Sequence, residues 1–269
     1  MMRNSYKPKD YFVWQIQNSQ ERSEKAKNYL KRADISEQAR QNRSDLFADY
    51  DIDIAINLYN IGTPVDQVVK YIISGLQKKV DVFNYASSTG LSFDQKCIIT
   101  SMDRFELFPL LVLGDAPKEL CARFIDFSLQ NDMSVEYDQE GDDADYAPEP
   151  IRISPLMNEF AKYFSYDVPA SNVAPQCYME TFEAPIYECF SRHESHQQET
   201  LVDYVTNWAK AGQKDEKYYN KNEHKNPNNK YFKGYWSFMG AAVAKILNID
   251  DAPLKEHPDY PYELVHFKG

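Results

Sequence analysis

The chain has 269 residues, a length that permits one large domain or two of modest size. Only 9 residues are Gly, well below the usual share of about 7%, which argues against nucleotide-binding folds whose phosphate loops use several glycines. With 30 Lys and Arg against 41 Asp and Glu, the formal net charge is −11. The chain is therefore a poor candidate for direct nucleic-acid binding, which takes Lys and Arg at the phosphates.

Helical patterns fill the N-terminal part of the chain. Residues 18–48 are rich in charges, with Glu21 one turn before Lys25, and predict one long helix. A second helix is predicted to start at Thr63 and Pro64, which suit an N-cap and a first turn. Its apolar positions recur at helical spacing and are Val65, Val68, Val69, Ile72, Ile73, Leu76, Val80 and Phe83.

Two more helices are predicted before residue 131. Ser92 and Gln95 form a capping box, and the apolar positions that follow at helical spacing are Phe93, Cys97, Ile98, Met102 and Phe105. Asp115 is predicted to cap the next helix, whose apolar stripe consists of Leu120, Cys121, Phe124 and Ile125.

Residues 132–150, the acidic linker, carry eight acidic side chains and no basic one. Gly141, Pro148 and Pro150 disfavour a regular helix there, so the stretch is predicted to join two helical halves, residues 1–131 and 151–269. It suits a solvated, self-repelling loop or a docking surface for a basic protein. An EF-hand calcium loop is not expected, because its ligand spacing is missing. The candidate docking residues are Glu136, Asp138, Glu140, Asp142, Asp143, Asp145 and Tyr146.

Shorter helices are predicted after the acidic linker. Ser195 can cap a helix with the apolar face Leu201, Val202, Val205 and Trp208. Residues 213–233 are rich in Lys and Asn and predict a solvated loop. A helix of small residues suited to close packing is predicted next, and it contains Trp236, Gly240, Val243, Ile246 and Leu247. Because alternating strand patterns and internal repeats are missing, the predicted fold is mostly α, a helical bundle in two parts.

Few residues have the spacing that catalysis or metal binding requires. His193 and His196 enclose Glu194, with Glu199 nearby, but the second His comes one residue too early for the zinc motif HExxH. Neither a metal nor a cofactor is expected, although an all-α metal-dependent hydrolase remains an alternative. The four cysteines form no CxxC and suit reduced thiols; they are Cys97, Cys121, Cys177 and Cys189.

The chain is expected to be cytoplasmic and free of membrane contact. Residues 1–20 contain no apolar stretch suited to a signal peptide, and no segment approaches the ~18 apolar residues of a membrane span. The C-terminal part is rich in aromatic residues that we expect mostly to pack, although some of them suit an interface or a homodimer. They are Tyr218, Tyr219, Tyr231, Tyr235, Trp236, Tyr260 and Tyr262.

The C-terminal run from Gly234 to Phe267 carries an unusual combination of motifs: GYWSF, then IDD, then HP followed by Y-P-Y. It resembles the signature of the PoNi family, the polymorphic nuclease immunity proteins. The N-terminal half is similar more weakly, at Tyr11 and Phe12 and from Leu58. Met239 departs from the acidic residue that the family commonly carries there. The matching residues are Gly234, Tyr235, Trp236, Phe238, Asp250, Asp251, His257, Pro258, Tyr260, Pro261 and Tyr262.

The resemblance implies a non-enzymatic, cytoplasmic, mostly helical immunity protein. Its relatives bind and neutralise a DNase toxin delivered between competing bacteria, typically by the type VI secretion system. The implied partner is a cognate nuclease effector. A nuclease presents cationic groups to DNA phosphates, and an acidic protein complements such a surface. A helical scaffold for an unrelated basic protein remains the other alternative.

Overall fold

The computed structural model describes residues 2–88, 101–130, 152–177, 181–214 and 223–269. In these ranges the fold is helical, and the sole strand-like feature is an isolated parallel bridge between Ile153 and Val173. The mostly-α prediction is thereby confirmed. The helices are α1 (Lys9–Leu30), α2 (Glu37–Asn60), α3 (Val65–Ser88), α4 (Ser101–Leu113), α5 (Lys118–Gln130), α6 (Pro155–Tyr163), α7 (Ala184–Tyr187), α8 (Glu194–Lys214), α9 (Phe238–Leu247) and α10 (Tyr262–Val265).

None of the described helices combines the length and apolar character that a membrane span requires.

Some sequence predictions fall on parts of the chain that the structure does not describe. The capping box, the acidic linker and part of the aromatic group lie outside the described residues, as do several single predicted positions. These are Ser92, Phe93, Gln95, Cys97, Ile98, Gly141, Pro148, Pro150, Tyr218 and Tyr219.

The prediction of a single helix over residues 18–48 is wrong, because the helix is interrupted between the end of α1 at Leu30 and the start of α2 at Glu37. Ser36 caps α2 by accepting a hydrogen bond from the Ala39 backbone N–H at 3.2 Å. The Arg40 guanidinium donates to the carbonyl oxygens of Leu30 and Arg32, at 2.8 and 3.2 Å. These bonds satisfy carbonyls that the end of α1 leaves without helical partners.

Helix α3 confirms its predicted apolar stripe. Val68, Val69, Ile72, Leu76 and Val80 are buried in the main hydrophobic cluster. The helix packs along α2, which in turn packs along α1. The first three helices therefore form one layer, held by an apolar face that the 3.6-residue period places on one side of α3.

Lysines of α3 neutralise carboxylates of α2. The Lys79 side chain is 4% exposed, and its ammonium lies 2.6 Å from an Asp45 oxygen and 2.7 Å from an Asp49 oxygen. Burial lowers the pKa of Lys79, but the two carboxylates outweigh it and leave that pKa raised. Lys78 pairs with Asp51 at 2.6 Å in the same way. Three carboxylates of α2 therefore form ion pairs within the fold, with lysines of α3.

Helices from both sides of the acidic linker share one hydrophobic cluster. Helix α4 packs on α9, and Leu111 and Val112 of α4 belong to the same cluster as Ala241 and Ala244 of α9. The run of small residues on α9 lets the two helix backbones approach closely. The predicted division at residues 132–150 stays a prediction, since the acidic linker lies outside the described residues.

Asp115 does not cap α5 as predicted. The amides of Leu120 and Cys121 in the first turn of α5 donate to the carbonyl oxygen of Pro117, so the helix begins at Lys118, three residues after Asp115. With a φ of 46°, Asp115 instead turns its carboxylate to the Lys245 ammonium at 2.7 Å and to the Gly269 N–H at 2.8 Å. It thereby links the α4–α5 turn to the C-terminal segment.

Candidate partner-binding surface

The predicted docking residues cannot be placed in the fold. The whole set lies outside the described residues, so its contact with a partner stays a prediction. It comprises Glu136, Asp138, Glu140, Asp142, Asp143, Asp145 and Tyr146.

The HxxH motif of His193 and His196 opens α8. The Nδ1 of His193 accepts a hydrogen bond from the Ser195 backbone N–H at 3.3 Å, and the His193 carbonyl accepts one from the His196 N–H at 2.9 Å. The helix begins at Glu194, so the prediction that Ser195 caps it is wrong by two positions. His193 has the capping role because its ring, like an Asn or Ser side chain, presents an acceptor to the first amides.

The described residues hold no group of three or more His, Cys, Asp or Glu side chains suited to a metal ion. The His196 Nδ1 lies 3.8 Å from a Glu199 oxygen, a distance longer than a hydrogen bond. Burial raises the pKa of the Cys121 thiol to about 12 and those of the Cys177 and Cys189 thiols to about 11. Because the thiolate is the nucleophilic form, these cysteines act as small apolar residues at neutral pH.

The signature tryptophan binds the end of α2. The Trp236 Nε1–H donates to the Asn60 Oδ1 at 2.8 Å, and the Asn4 amide donates to the same oxygen at 3.2 Å. The Asn60 Nδ2 donates to the Lys233 carbonyl at 3.0 Å. Asn60 is fully buried, and the Trp236 ring packs edge-on against Tyr59 with 5.0 Å between centroids. One asparagine therefore joins three separate segments of the chain.

Gly234 makes this junction possible. Its φ is +104°, a conformation that L side chains rarely adopt. A Cβ at this position would lie 2.6 Å from the Asn4 Nδ2 and 2.8 Å from the Trp236 Nε1. The glycine of GYWSF thus permits both the backbone turn and the approach of the two side chains to Asn60.

Residues 3–6, the N-terminal strap, lie across the C-terminal part. The Arg3 Nε donates to a Glu263 oxygen at 2.9 Å, and the Tyr59 hydroxyl donates to the other at 2.7 Å. Burial raises the pKa of Glu263, but the bonds from Arg3 and Tyr59 outweigh it and leave that pKa lowered. The Tyr6 ring packs edge-on against Tyr235 at 5.2 Å. Through these contacts the strap fixes α2 to α10.

The IDD and HP–Y–P–Y motifs form a second polar group. Asp251 is buried, and its two carboxylate oxygens contact the Tyr260 hydroxyl at 2.8 Å and the His266 Nε2 at 2.9 Å. The Asp250 carbonyl accepts a bond from Gln198 on α8 at 2.7 Å. The His257 Nδ1 accepts one from the Asp259 N–H at 3.2 Å.

The remaining signature residues also lie at turns and helix ends. Phe238 is the first residue of α9, Pro261 precedes α10, and Tyr262 begins it. Pro258 lies in the turn between His257 and Asp259. The signature residues thus bind one another and α2 through polar contacts, while Met239 at the departing position is buried among apolar residues.

Asp259 carries a buried carboxylate beside this network. It is 6% exposed, its Oδ2 accepts from the Tyr6 hydroxyl at 3.3 Å, and its Oδ1 has no hydrogen-bond partner among the described residues. Burial raises the pKa of Asp259 to about 6, so the folded protein binds a proton there that an unfolded chain releases above about pH 4. The stability contributed by this proton is complete below the unfolded pKa and is lost as the pH rises through the folded pKa.

We therefore expect Asp259→Asn to remove a pH dependence. Between pH 4.5 and 7.5 the free energy of unfolding of the wild type should fall by about 2 kcal/mol relative to this variant, as urea unfolding at several pH values measures. The half-buried His257, whose pKa burial lowers, is present in both proteins, so its contribution largely cancels in the difference. Asp250→Asn, at an exposed carboxylate nearby, is the control and should follow the wild type. Parallel curves for the wild type and Asp259→Asn would contradict this assignment.

An apolar cleft of about 260 Å³ opens between the N-terminal and C-terminal helices. Ile56 of α2, Leu110 of α4, Trp208 of α8, and Phe238 and Met239 of α9 line its floor. Of these residues, the sequence pattern placed only Trp208 on a predicted helical face. Because the cleft exists only once α2, α4, α8 and α9 are assembled, no spacing in the sequence could reveal it.

Polar and aromatic side chains form the mouth of this cleft. Glu106, Glu223 and Lys233 line it together with Tyr231. Tyr231 is 57% exposed, which makes it the most exposed large apolar side chain of the described residues. The Arg22 guanidinium donates to its hydroxyl at 3.2 Å and lies over its ring. Aromatic and Arg side chains are enriched at the centres of protein interfaces.

Carboxylates outnumber cations at the mouth. The Lys233 ammonium forms an ion pair with Asp53. Burial lowers the pKa of Lys233, but Asp53, Glu106 and Asp49 outweigh it and leave that pKa raised. Asp49 is already paired with Lys79. With Glu223 and Arg22, the other charged groups in and beside the mouth are three carboxylates and two cations, a net charge of −1.

A protein-family model described as PoNe immunity proteins (PoNi), C-terminal, matches residues 155–264. No curated protein and no solved structure matches the chain. The matched segment begins with the first residue of α6, ends within α10 and contains all the signature residues, which lie between Gly234 and Tyr262. Residues 155–264 of this chain are therefore similar to the C-terminal part of the PoNi immunity proteins.

Proposed function

We propose that the chain is an immunity protein that binds a cognate nuclease effector and neutralises it by stoichiometric occlusion of the active site or the DNA path. The observation that carries this proposal is the match of residues 155–264 to the PoNe immunity proteins. In this role the chain acts in the cytoplasm, without catalysis, against a toxin that a competing bacterium delivers through type VI secretion.

The distribution of charge supports a basic partner. Residues 51–150 carry seven basic and 18 acidic side chains, and residues 151–209 carry three and eight. A nuclease presents cationic groups to DNA phosphates, and an acidic protein competes for them and accelerates encounter at low salt. The two halves on either side of the acidic linker, residues 1–131 and 151–269, are proposed to bind the nuclease together.

Co-expression with the nuclease encoded by the adjacent gene tests the proposal. We expect cells to survive induction of the nuclease only when this chain is present, and purified chain to inhibit DNA cleavage at a 1:1 ratio. A catalytically inactive nuclease serves as the control for expression toxicity. Equal killing with and without the chain would reject the immunity function.

The acidic linker is tested in the same assay. Replacing Glu136, Asp138, Glu140, Asp142, Asp143 and Asp145 by their amides removes six charges from the candidate docking surface, and Tyr146→Ala removes its aromatic side chain. We expect the six amides to weaken binding more than about tenfold, or ~1.4 kcal/mol, with a smaller salt dependence. An affinity within tenfold of the wild type would identify the linker as a solvated loop.

A further inference from the structure

We propose that the apolar cleft between α2, α4, α8 and α9 is a docking site for the nuclease, and that it receives an apolar or aromatic side chain from a cationic part of the nuclease surface. This inference rests on the proposed function and names a contact surface for it beyond the acidic linker. The occupant is argued from the shape of the cleft and from the charge at its mouth.

The shape suits an anchoring side chain better than a small molecule. The cleft measures about 260 Å³, below the roughly 300–1,000 Å³ of typical small-molecule sites and sufficient for one large side chain. Its floor is apolar, with Ile56, Leu110, Trp208 and Met239. Tyr231 stands exposed at the edge and can cover an inserted side chain, as residues around an interface hot spot do when they exclude water.

The charge at the mouth selects a cationic partner. Asp53, Glu106 and Glu223 outnumber Lys233 and Arg22, so Lys or Arg beside the inserted side chain meets a net negative surface. A second copy of this chain would bring a formal net charge of −11 to the same place, and like charges across an interface are unfavourable. The nuclease, which must attract phosphates, has the complementary sign.

The cleft is lined by helices from both sides of the acidic linker, so binding there involves both parts of the chain. Its walls come from α2 and α4 on one side of the acidic linker and from α8 and α9 on the other. A bound nuclease would therefore contact both halves of the chain at once. Amides at the cleft, among them that of Gly234, should exchange hydrogen more slowly in the complex.

The test measures binding of a catalytically inactive form of the nuclease encoded by the adjacent gene to full-length variants. Tyr231→Ala and Glu106→Lys alter exposed side chains at the mouth. Together they should weaken binding about 30-fold or more, mainly through faster dissociation. Tyr163→Ala and Glu199→Lys alter an exposed tyrosine and an exposed glutamate elsewhere, and this control pair should bind within about threefold of the wild type.

Each outcome decides between the two proposals. If the wild type binds the nuclease and the Tyr231/Glu106 pair binds equally well, the cleft is not the docking site while the immunity function stands. If the wild type itself does not bind, both fail. Sedimentation of the free proteins tests whether a second copy of this chain occupies the cleft instead. A wild-type dimer that Tyr231→Ala converts to a monomer would assign the cleft to a second copy and overturn the proposal. Matching circular dichroism and melting curves show that the variants are folded.

Discussion

Replacing Asn60 by Ala is expected to lower the free energy of unfolding by about 3–4 kcal/mol. The substitution removes the oxygen that accepts hydrogen bonds from Trp236 and Asn4 and the amide that donates to the Lys233 carbonyl. Asn60 and Trp236 are both buried, so the indole N–H and the carbonyl left behind lie where water cannot replace the lost partner. Urea unfolding followed by tryptophan fluorescence measures this change.

A neighbouring asparagine provides the matched control. Asn57 lies on the same helix and is equally buried, but its amide makes one bond, to the Asp53 carbonyl of its own helix. Asn57→Ala should cost less than about 1 kcal/mol, because Ala has the higher helix propensity. Similar losses for the two variants would show that the junction of Asn60 with Trp236 adds little beyond the burial of an amide.

Gly234→Ala is expected to cost about 3 kcal/mol. The added methyl group would lie within 3 Å of both the Asn4 and the Trp236 nitrogen atoms, and the backbone would have to keep a φ of +104°. The chain can relieve the overlap only by moving the side chains that bind Asn60. We therefore expect the backbone amides of the N-terminal strap to exchange hydrogen faster in this variant. We also expect a lower midpoint of urea unfolding.

Gly62 separates the two causes. It also has a positive φ, 85°, in the turn after α2, so Gly62→Ala measures the cost of a left-handed backbone, about 1 kcal/mol. The excess cost at Gly234 then reports the overlap with Asn4 and Trp236. A Gly234→Ala variant as stable as Gly62→Ala would mean that the strap moves aside freely.

Local patterns predicted most of the helices but not their limits. The stripes of α3 and α5 follow from the 3.6-residue period, because burial on one face leaves that spacing in the sequence. The break between α1 and α2 left no such trace. Charged residues recur on both sides of the turn that Ser36 and Arg40 stabilise, so the charge pattern continues across it without a break. The prediction that Asp115 caps α5 was wrong because its side chain binds Lys245, which lies 130 positions later in the chain. A contact between such distant residues leaves no local pattern.

The candidate surface was predictable only in part. The resemblance identified Gly234, Trp236 and Asp251 as a group, but not that Trp236 binds Asn60, which lies 176 positions away. Polar contacts between distant segments have no period and no local propensity. The cleft at Tyr231 is likewise a product of helix packing, and the exposure of that tyrosine is the one property that sets it apart from the buried Tyr235 and Tyr260.

The N-terminal strap has a consequence for synthesis. Arg3 and Tyr6 find their partners at Glu263, Tyr235 and Asp259, so the ribosome adds about 230–260 further residues before these partners are made. At about 5–20 residues per second, that interval is roughly 10–50 s for each molecule. Contacts of such long range also slow folding after release. For the immunity role proposed above, each newly made molecule can therefore protect only after this interval has passed.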